Sequence, residues 1–269
     1  MQLFLFKKVK MWVEPALFCK ISTIFAPKYL LTMAFSQNNF TGRQTTPVTT
    51  NLIIINVLML VADYVLGLKG IDLGRALGLH YFDSDSYHPY QMITYMFMHS
   101  GFSHLFCNMF SLYMFGRLLE MVWGAQRFII YYLVCGVGAA IVQQLAWRFG
   151  IIDTWITQIQ LQDAGFTYGQ LVQEGERLLR QLVTVGASGS VFGILLAFGM
   201  MFPNAQLFLL FPPIPLKAKW LVIGYGLFEL MAGVAGTTGD NVAHFAHLGG
   251  MIFGFLLIML WRNERRHEF

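Results

Sequence analysis

Long apolar stretches separated by polar segments dominate the chain from residue 51 onward. They predict membrane-spanning helices, although several are shorter than the roughly 20 apolar residues that a lone span needs. Short or glycine-rich spans are stable where neighbouring helices cover their backbone, so we expect a compact all-α bundle with water near one face. The six predicted helices are Asn51–Leu68, Gly101–Leu119, Phe128–Trp147, Gly186–Phe202, Trp220–Val234 and Val242–Trp261.

The composition agrees with the predicted membrane bundle and excludes a soluble fold. Of 269 residues, 56% are hydrophobic and 12% are charged, whereas soluble domains contain about 25% charged residues. Too little polar surface is left to cover a water-soluble globule. We therefore predict a multi-pass integral membrane protein.

Basic residues predict the orientation of the spans, because Lys and Arg are enriched in cytoplasmic loops. They occur before the first helix, in the turns after the second and fourth helices, and in the last residues. In contrast, the loops Lys69–Gln91 and Gly150–Leu182 contain more acidic than basic residues. We expect both termini in the cytoplasm, and the compact six-span form favours a bacterial plasma membrane.

Three regions follow from these patterns. Residues 51–262 form the predicted core, and residues 150–182 form an extracytoplasmic insertion with one amphipathic helix, because "LVQEGERLLRQL" has apolar residues at helical spacing. Residues 1–50 are a cytoplasmic N-terminal segment and residues 263–269 a basic tail. The N-terminal segment is either an amphipathic surface segment or partly an artefact of start-codon choice, because Met33 opens a more ordinary polar lead.

Polar side chains inside spans are energetically costly and mark functional sites. In the second predicted helix, His104 and Asn108 are four residues apart and share one face. Both can donate hydrogen bonds, and His99 precedes them near the membrane entrance. These groups either hold helices together or bind developing negative charge.

The stretch "GASGS" places Ser188 at the start of the fourth predicted helix. Backbone N–H groups there lack intrahelical partners and can stabilise an oxyanion. Gly186 and Gly189 allow a substrate backbone to approach closely. Glycine and serine are also common helix-packing residues, which is the alternative interpretation of this stretch.

In the sixth predicted helix, His247 precedes Gly250 and Gly254, whose spacing is typical of close helix packing. The small residues of the fourth helix are the expected partner, and their contact brings His247 to Ser188. We expect His244 to be a structural hydrogen-bond donor.

These clusters together predict nucleophilic catalysis. His247 can remove the proton of Ser188 and then protonate a leaving amine. His104, Asn108 and the Ser188 N–H can supply oxyanion donors. No Asp or Glu lies in the three clusters, so the sequence predicts a Ser–His dyad and not a triad.

The ordered motifs H-x-x-x-N, G-x-S-G and A-H-x-x-G-x-x-x-G resemble those of the rhomboid intramembrane serine proteases. The resemblance implies a dyad of Ser188 and His247 and an oxyanion site at His104, Asn108 and Ser188. It implies transmembrane protein substrates within a lipid bilayer, no nucleic-acid partner, and no metal or cofactor. The expected supporting residues are Gly186, Gly189, Phe192, His99, Gly250 and Gly254.

Three departures from the family pattern stand out. Many members have Trp-Arg in the first loop, where this chain has Tyr90 and Gln91, and many have Tyr at the position of Phe192. The insertion at 150–182 is also long for the family. The Phe192 ring can still stack on the His247 imidazole.

Three rival functions stay open at this point. The first is a catalytically silent rhomboid-like protein that binds membrane clients. The second is a transporter, but the acids inside spans, Asp63 and Glu229, are not expected to join the polar cluster. The third is a metalloprotease, for which we see no carboxylate spaced to join the histidines.

Overall fold

The computed structural model describes residues 25–26, 45–151, 167–209, 215–235 and 241–264. Most of the predicted N-terminal segment, the first half of the insertion and nearly all of the basic tail therefore lie outside the described residues. Within these ranges the chain is mostly helical. In chain order the helices are α1 Pro47–Gly67, α2 Leu73–Leu77, α3 Gln91–Thr94, α4 Phe102–Ser111, α5 Arg117–Trp123, α6 Ala125–Ala146, α7 Tyr168–Leu179, α8 Ser188–Met201, α9 Ala218–Ala235 and α10 Asn241–Glu264.

Four continuous helical stretches are long and apolar enough to cross a membrane. The second of them combines α4 and α5, which are joined by a π-helical segment, and the third continues α6 to Phe149. The other two predicted spans correspond to α8 and α9, and α8 has only 14 residues. The four stretches are Pro47–Gly67, Phe102–Trp123, Ala125–Phe149 and His244–Arg262.

The first span is fixed at its start by a buried carboxylate from another helix. Pro47 begins α1, where its missing N–H is not needed. Glu120 of α5 accepts hydrogen bonds from the backbone N–H groups of Val48 (2.9 Å) and Thr49 (2.8 Å). These two donors have no acceptor inside their own helix, so Glu120 acts as the cap of α1.

Helix α10 lies in the groove between α6 and α8. A side chain at Gly250 would collide with the backbone carbonyl of Gly189 on α8, as the predicted close packing of these helices requires. Gly254 instead lies against Tyr131 and Cys135 of α6. The two glycines therefore allow close contact with two different helices, α8 and α6, whereas the sequence pattern suggested α8 alone.

Short strands supplement the helices and were not predicted. The strands are β1 Phe25–Ala26, β2 Leu79–His80, β3 Val183–Thr184, β4 Gln206–Leu209 and β5 Pro215–Lys217. β2 pairs antiparallel with β3, and β4 pairs antiparallel with both β1 and β5. Segments of two to four residues are too short to show the alternation by which strands are predicted.

The loop between α1 and α3 is held in place by two buried glutamines. Gln91, which is 1% exposed, donates from Nε2 to the Ser86 carbonyl (2.9 Å) and accepts from the His88 N–H (3.1 Å). Gln144 of α6 donates from Nε2 to the His80 carbonyl (2.7 Å). This loop therefore has an anchor without the Trp-Arg pair of many rhomboids.

The described part of residues 150–182 packs on the same loop. Helix α7 begins at a capping box between Thr167 and Gln170 and forms the predicted amphipathic helix. After it, Arg180 forms an ion pair with Asp83 (Nη2–Oδ2, 2.8 Å), and the β2–β3 pairing follows. These contacts lead the chain into α8.

Candidate active site

The turn before α8 requires a glycine for two reasons. Gly186 has a φ of +133°, which side chains rarely allow, and its N–H donates to the Tyr95 carbonyl (2.9 Å). A Cβ at this position would also lie 2.8 Å from the His104 imidazole. Ser188 follows as the first residue of α8, so its N–H has no acceptor in the preceding turn of a helix.

The structure brings Ser188 and His247 together. The Oγ of Ser188 lies 2.9 Å from the Nε2 of His247, within hydrogen-bond distance, although the residues are 59 apart in sequence. Ser190 points elsewhere, because its Oγ donates to the Tyr132 carbonyl of α6 (2.8 Å). Of the two serines in "GASGS", only Ser188 faces the imidazole.

The His247 ring is held from one side by an aromatic residue of α8. Phe192 stacks on it with a centroid distance of 4.1 Å and an interplanar angle of 9°. Phe192 is completely buried and meets Tyr225 of α9 edge-on at 5.8 Å. The expected stacking contact is therefore present with Phe in the place of Tyr.

His104 and Asn108 lie on the face of α4 that approaches the start of α8. The backbone N–H of Ser100 donates to His104 Nδ1 (3.4 Å), so Nδ1 is an acceptor and Nε2 has the proton. This Nε2 lies beside Gly186. Asn108 is fully buried and uses one of its two amide N–H groups on the His104 carbonyl (3.0 Å).

His99 lies beside His104. Their rings meet edge-on with a centroid distance of 5.0 Å, and His99 is 3% exposed. Ser188 and His104 are less buried than Asn108 and His99. In the part of the chain that the structure describes, the site is therefore open at Ser188 and closed to solvent at Asn108 and His99.

Glu229 of α9 also lies in the site, and the expectation that it stays apart from the polar cluster was wrong. Its Oε2 is 3.0 Å from His247 Nδ1 and 2.5 Å from His244 Nδ1. Glu229 is 4% exposed. The expectation that no carboxylate lies near the histidines was wrong for the same reason, since donor atoms of all three residues lie within 4.8 Å of one another.

Antiparallel packing explains how the carboxylate reaches the histidine. Glu229 is six residues before the end of α9, and His247 is six residues after the start of α10. At 1.5 Å per residue both positions are about 9 Å from the connection between the helices. The available signal was an acid inside a span, which needs a polar partner there.

The chain is similar to proteins of the Rhomboid family. Residues 86–264 match the Rhomboid domain. One similar protein is Rhomboid-like protein 11, chloroplastic, from Arabidopsis thaliana, with 29% identity over 78% of this chain and 63% of the relative. Another is YdcA of Bacillus subtilis, a candidate rhomboid protease by its name, with 26% identity over 66% of this chain and 71% of the relative.

A third relative is Rhomboid protein 1, mitochondrial, from Saccharomyces cerevisiae. It is 28% identical over 60% of this chain, and the match covers 38% of the yeast protein. The chain thus spans less than two thirds of the Arabidopsis and yeast relatives. Because the domain match extends over more than half of the chain, the protein belongs to the Rhomboid family.

Proposed function

We propose that this protein is an intramembrane serine endopeptidase that cleaves single-span membrane proteins within or near the bilayer. The observation that carries the proposal is the 2.9 Å contact between Ser188 Oγ and His247 Nε2. A serine hydroxyl is a weak nucleophile until a base removes its proton, and an imidazole at hydrogen-bond distance is the usual base. Ser188 is the proposed nucleophile and His247 the proposed base.

The reaction then runs in two steps. His247 Nε2 accepts the Ser188 proton while Oγ attacks the scissile carbonyl, and the resulting imidazolium returns that proton to the leaving amine. This gives an acyl-enzyme on Ser188 and frees the amino fragment. A water molecule, deprotonated by the same imidazole, releases the carboxyl fragment and restores the serine.

Three donors support the oxyanion in this mechanism. The His104 Nε2–H lies beside Gly186, and the second amide N–H of Asn108 remains for a substrate oxygen after the first binds the His104 carbonyl. The Ser188 N–H is at the start of α8. Fixed donors of this kind typically contribute about 10²–10³ each in kcat.

We further propose a six-span bundle in which α8 and α9 complete the four long spans. The 14 residues of α8 cover about 21 Å, and its central residues are buried by neighbouring helices. Both termini are proposed to face the cytoplasm of a bacterium, with the protein in the plasma membrane. The basic ends of the chain support this orientation.

The proposal is tested with purified protein in liposomes that contain a single-span test substrate. Wild type is compared with Ser188→Ala and His247→Ala, with Ser190→Ala as a matched control, and a wild-type sample receives EDTA. We expect cleavage that survives EDTA, persists in Ser190→Ala and is absent in the other two variants. A folded wild type that cleaves no substrate of a varied set would instead favour a catalytically silent, client-binding protein.

A further inference from the structure

We propose that Glu229 is a positioning residue for His247, so that the dyad expected from the sequence works as a Ser188–His247–Glu229 triad. This inference rests on the proposed protease function. Its basis is a continuous line of contacts across three helices. Ser188 Oγ lies 2.9 Å from His247 Nε2, and His247 Nδ1 lies 3.0 Å from Glu229 Oε2.

Proton transfer from Ser188 requires one particular tautomer of His247. Nε2 can accept the Ser188 proton only if it is unprotonated, which requires the ring proton of the neutral imidazole to be on Nδ1. A carboxylate beside Nδ1 favours that tautomer, and it stabilises the imidazolium that forms when Nε2 takes the proton. Glu229 is the group that meets Nδ1.

Glu229 places a buried carboxylate beside His247. A carboxylate that is 4% exposed needs compensation, because an isolated buried charge costs several kcal/mol. Within the described chain its ion-pair partners are His244 and His247. Among the described residues, Tyr225 of α9 interacts with Glu229 and His104 of α4 interacts with His247. His244 contacts His247 on the same helix.

His244 has a role that agrees with its expected function as a structural donor. Its Nδ1 lies 2.5 Å from the same Oε2 atom that meets His247. Phe228 of α9 contacts the His244 ring edge-on at a centroid distance of 6.3 Å. His244 therefore holds the Glu229 carboxylate at the level of His247. The His247 imidazole, which faces Ser188, does not have to position the carboxylate.

The same three residues offer the ligand types of a transition-metal site, and the experiment separates the two possibilities. A metal-dependent enzyme would lose activity in EDTA and regain it with Zn²⁺. A triad works equally with and without the chelator. Labelling of Ser188 distinguishes the triad from a metal site directly, since an activated serine reacts with a fluorophosphonate probe.

The test compares wild type, Glu229→Gln and Glu120→Gln in liposomes, with Ser188→Ala as the inactive reference. Glu120 is a matched control, because it is equally buried (3% exposed) but caps α1. We expect Glu229→Gln to lower kcat by at least about 10-fold and to slow fluorophosphonate labelling in parallel, with KM within about 3-fold. Glu120→Gln should lower thermal stability, with kcat per folded molecule unchanged.

Three results would overturn the inference. One is a kcat for Glu229→Gln within about 2-fold of wild type while Ser188→Ala is inactive. Another is a loss of total activity in Glu229→Gln that a smaller folded fraction explains completely, as we expect for Glu120→Gln. The third is activity that EDTA removes and Zn²⁺ restores. If wild type and Ser188→Ala are equally inactive and unlabelled, the proposed function itself fails, and the positioning role fails with it.

Discussion

The contact between α10 and α8 sets the distance between the proposed base and nucleophile, and Gly250→Ala tests it. Gly250 is three residues after His247, and Gly189 is next to Ser188. A methyl group at Gly250 would overlap the carbonyl oxygen and carbon of Gly189. The obstacle is helix backbone and cannot rotate away, so α10 has to move off α8 as a unit.

The size of the effect follows from this overlap. Relief to an ordinary van der Waals separation requires a displacement of about 1.5 Å, and overpacking of this kind typically costs about 1–3 kcal/mol of stability. The Ser188–His247 contact, 2.9 Å in the structure, then lengthens beyond hydrogen-bond range. A misplacement of about 1 Å at reacting groups can lower the rate by about 100-fold.

The assay measures kcat in liposomes together with the thermal unfolding of each variant. Gly224→Ala is the matched control, because a Cβ at that position inside α9 meets no heavy atom within 4 Å. It should match wild type in kcat and be at least as stable, because Ala favours a helix interior over Gly. We expect Gly250→Ala to lose about 100-fold in kcat per folded molecule. Full turnover by folded Gly250→Ala would refute the claim that this contact positions His247.

Three further predictions concern neighbouring residues. Ser190→Ala should retain kcat within about 3-fold. It should lose about 1 kcal/mol of stability, the typical value of one hydrogen bond, because the Ser190 Oγ donates to the Tyr132 carbonyl. Inactivity of the folded variant would contradict this prediction. Phe192→Leu should lower kcat in the liposome assay, because it removes the ring that stacks on His247. Phe192→Tyr retains the ring and should retain kcat. Equal kcat values for the two variants would count against a role for stacking. Gln91→Leu should lower the free energy of unfolding by about 2 kcal/mol, because it leaves several loop groups without partners; an unchanged Tm in a thermal melt would show that Gln91 is not the anchor.

Sequence patterns alone singled out the polar residues inside apolar segments that the structure brings together at the candidate site. Ser188, His104, Asn108 and His247 stand out because polar groups are costly in a span. The spacing of Gly250 also indicated the close approach of α10 and α8, which the structure contains. These features are local, since each depends on residues within about one helical turn.

Apart from the short strands, the features that the sequence did not predict are tertiary. Glu229 reaches His247 only because α9 and α10 are antiparallel and of matching depth. Gln144 anchors the first loop through the His80 carbonyl, which is 64 residues away in the chain, and no local pattern encodes that contact. Gly254 faces α6 because α10 lies in a groove between two helices, and a pairwise motif cannot specify that arrangement.

The most direct test of the central claim is the site of covalent modification by a fluorophosphonate. Purified protein in liposomes is treated with the probe, digested, and mapped by mass spectrometry, with His247→Ala treated in parallel. We expect one adduct, on Ser188, and none in the variant, because only an activated serine reacts. An adduct on Ser190, or equal labelling of Ser188 in His247→Ala, would contradict it.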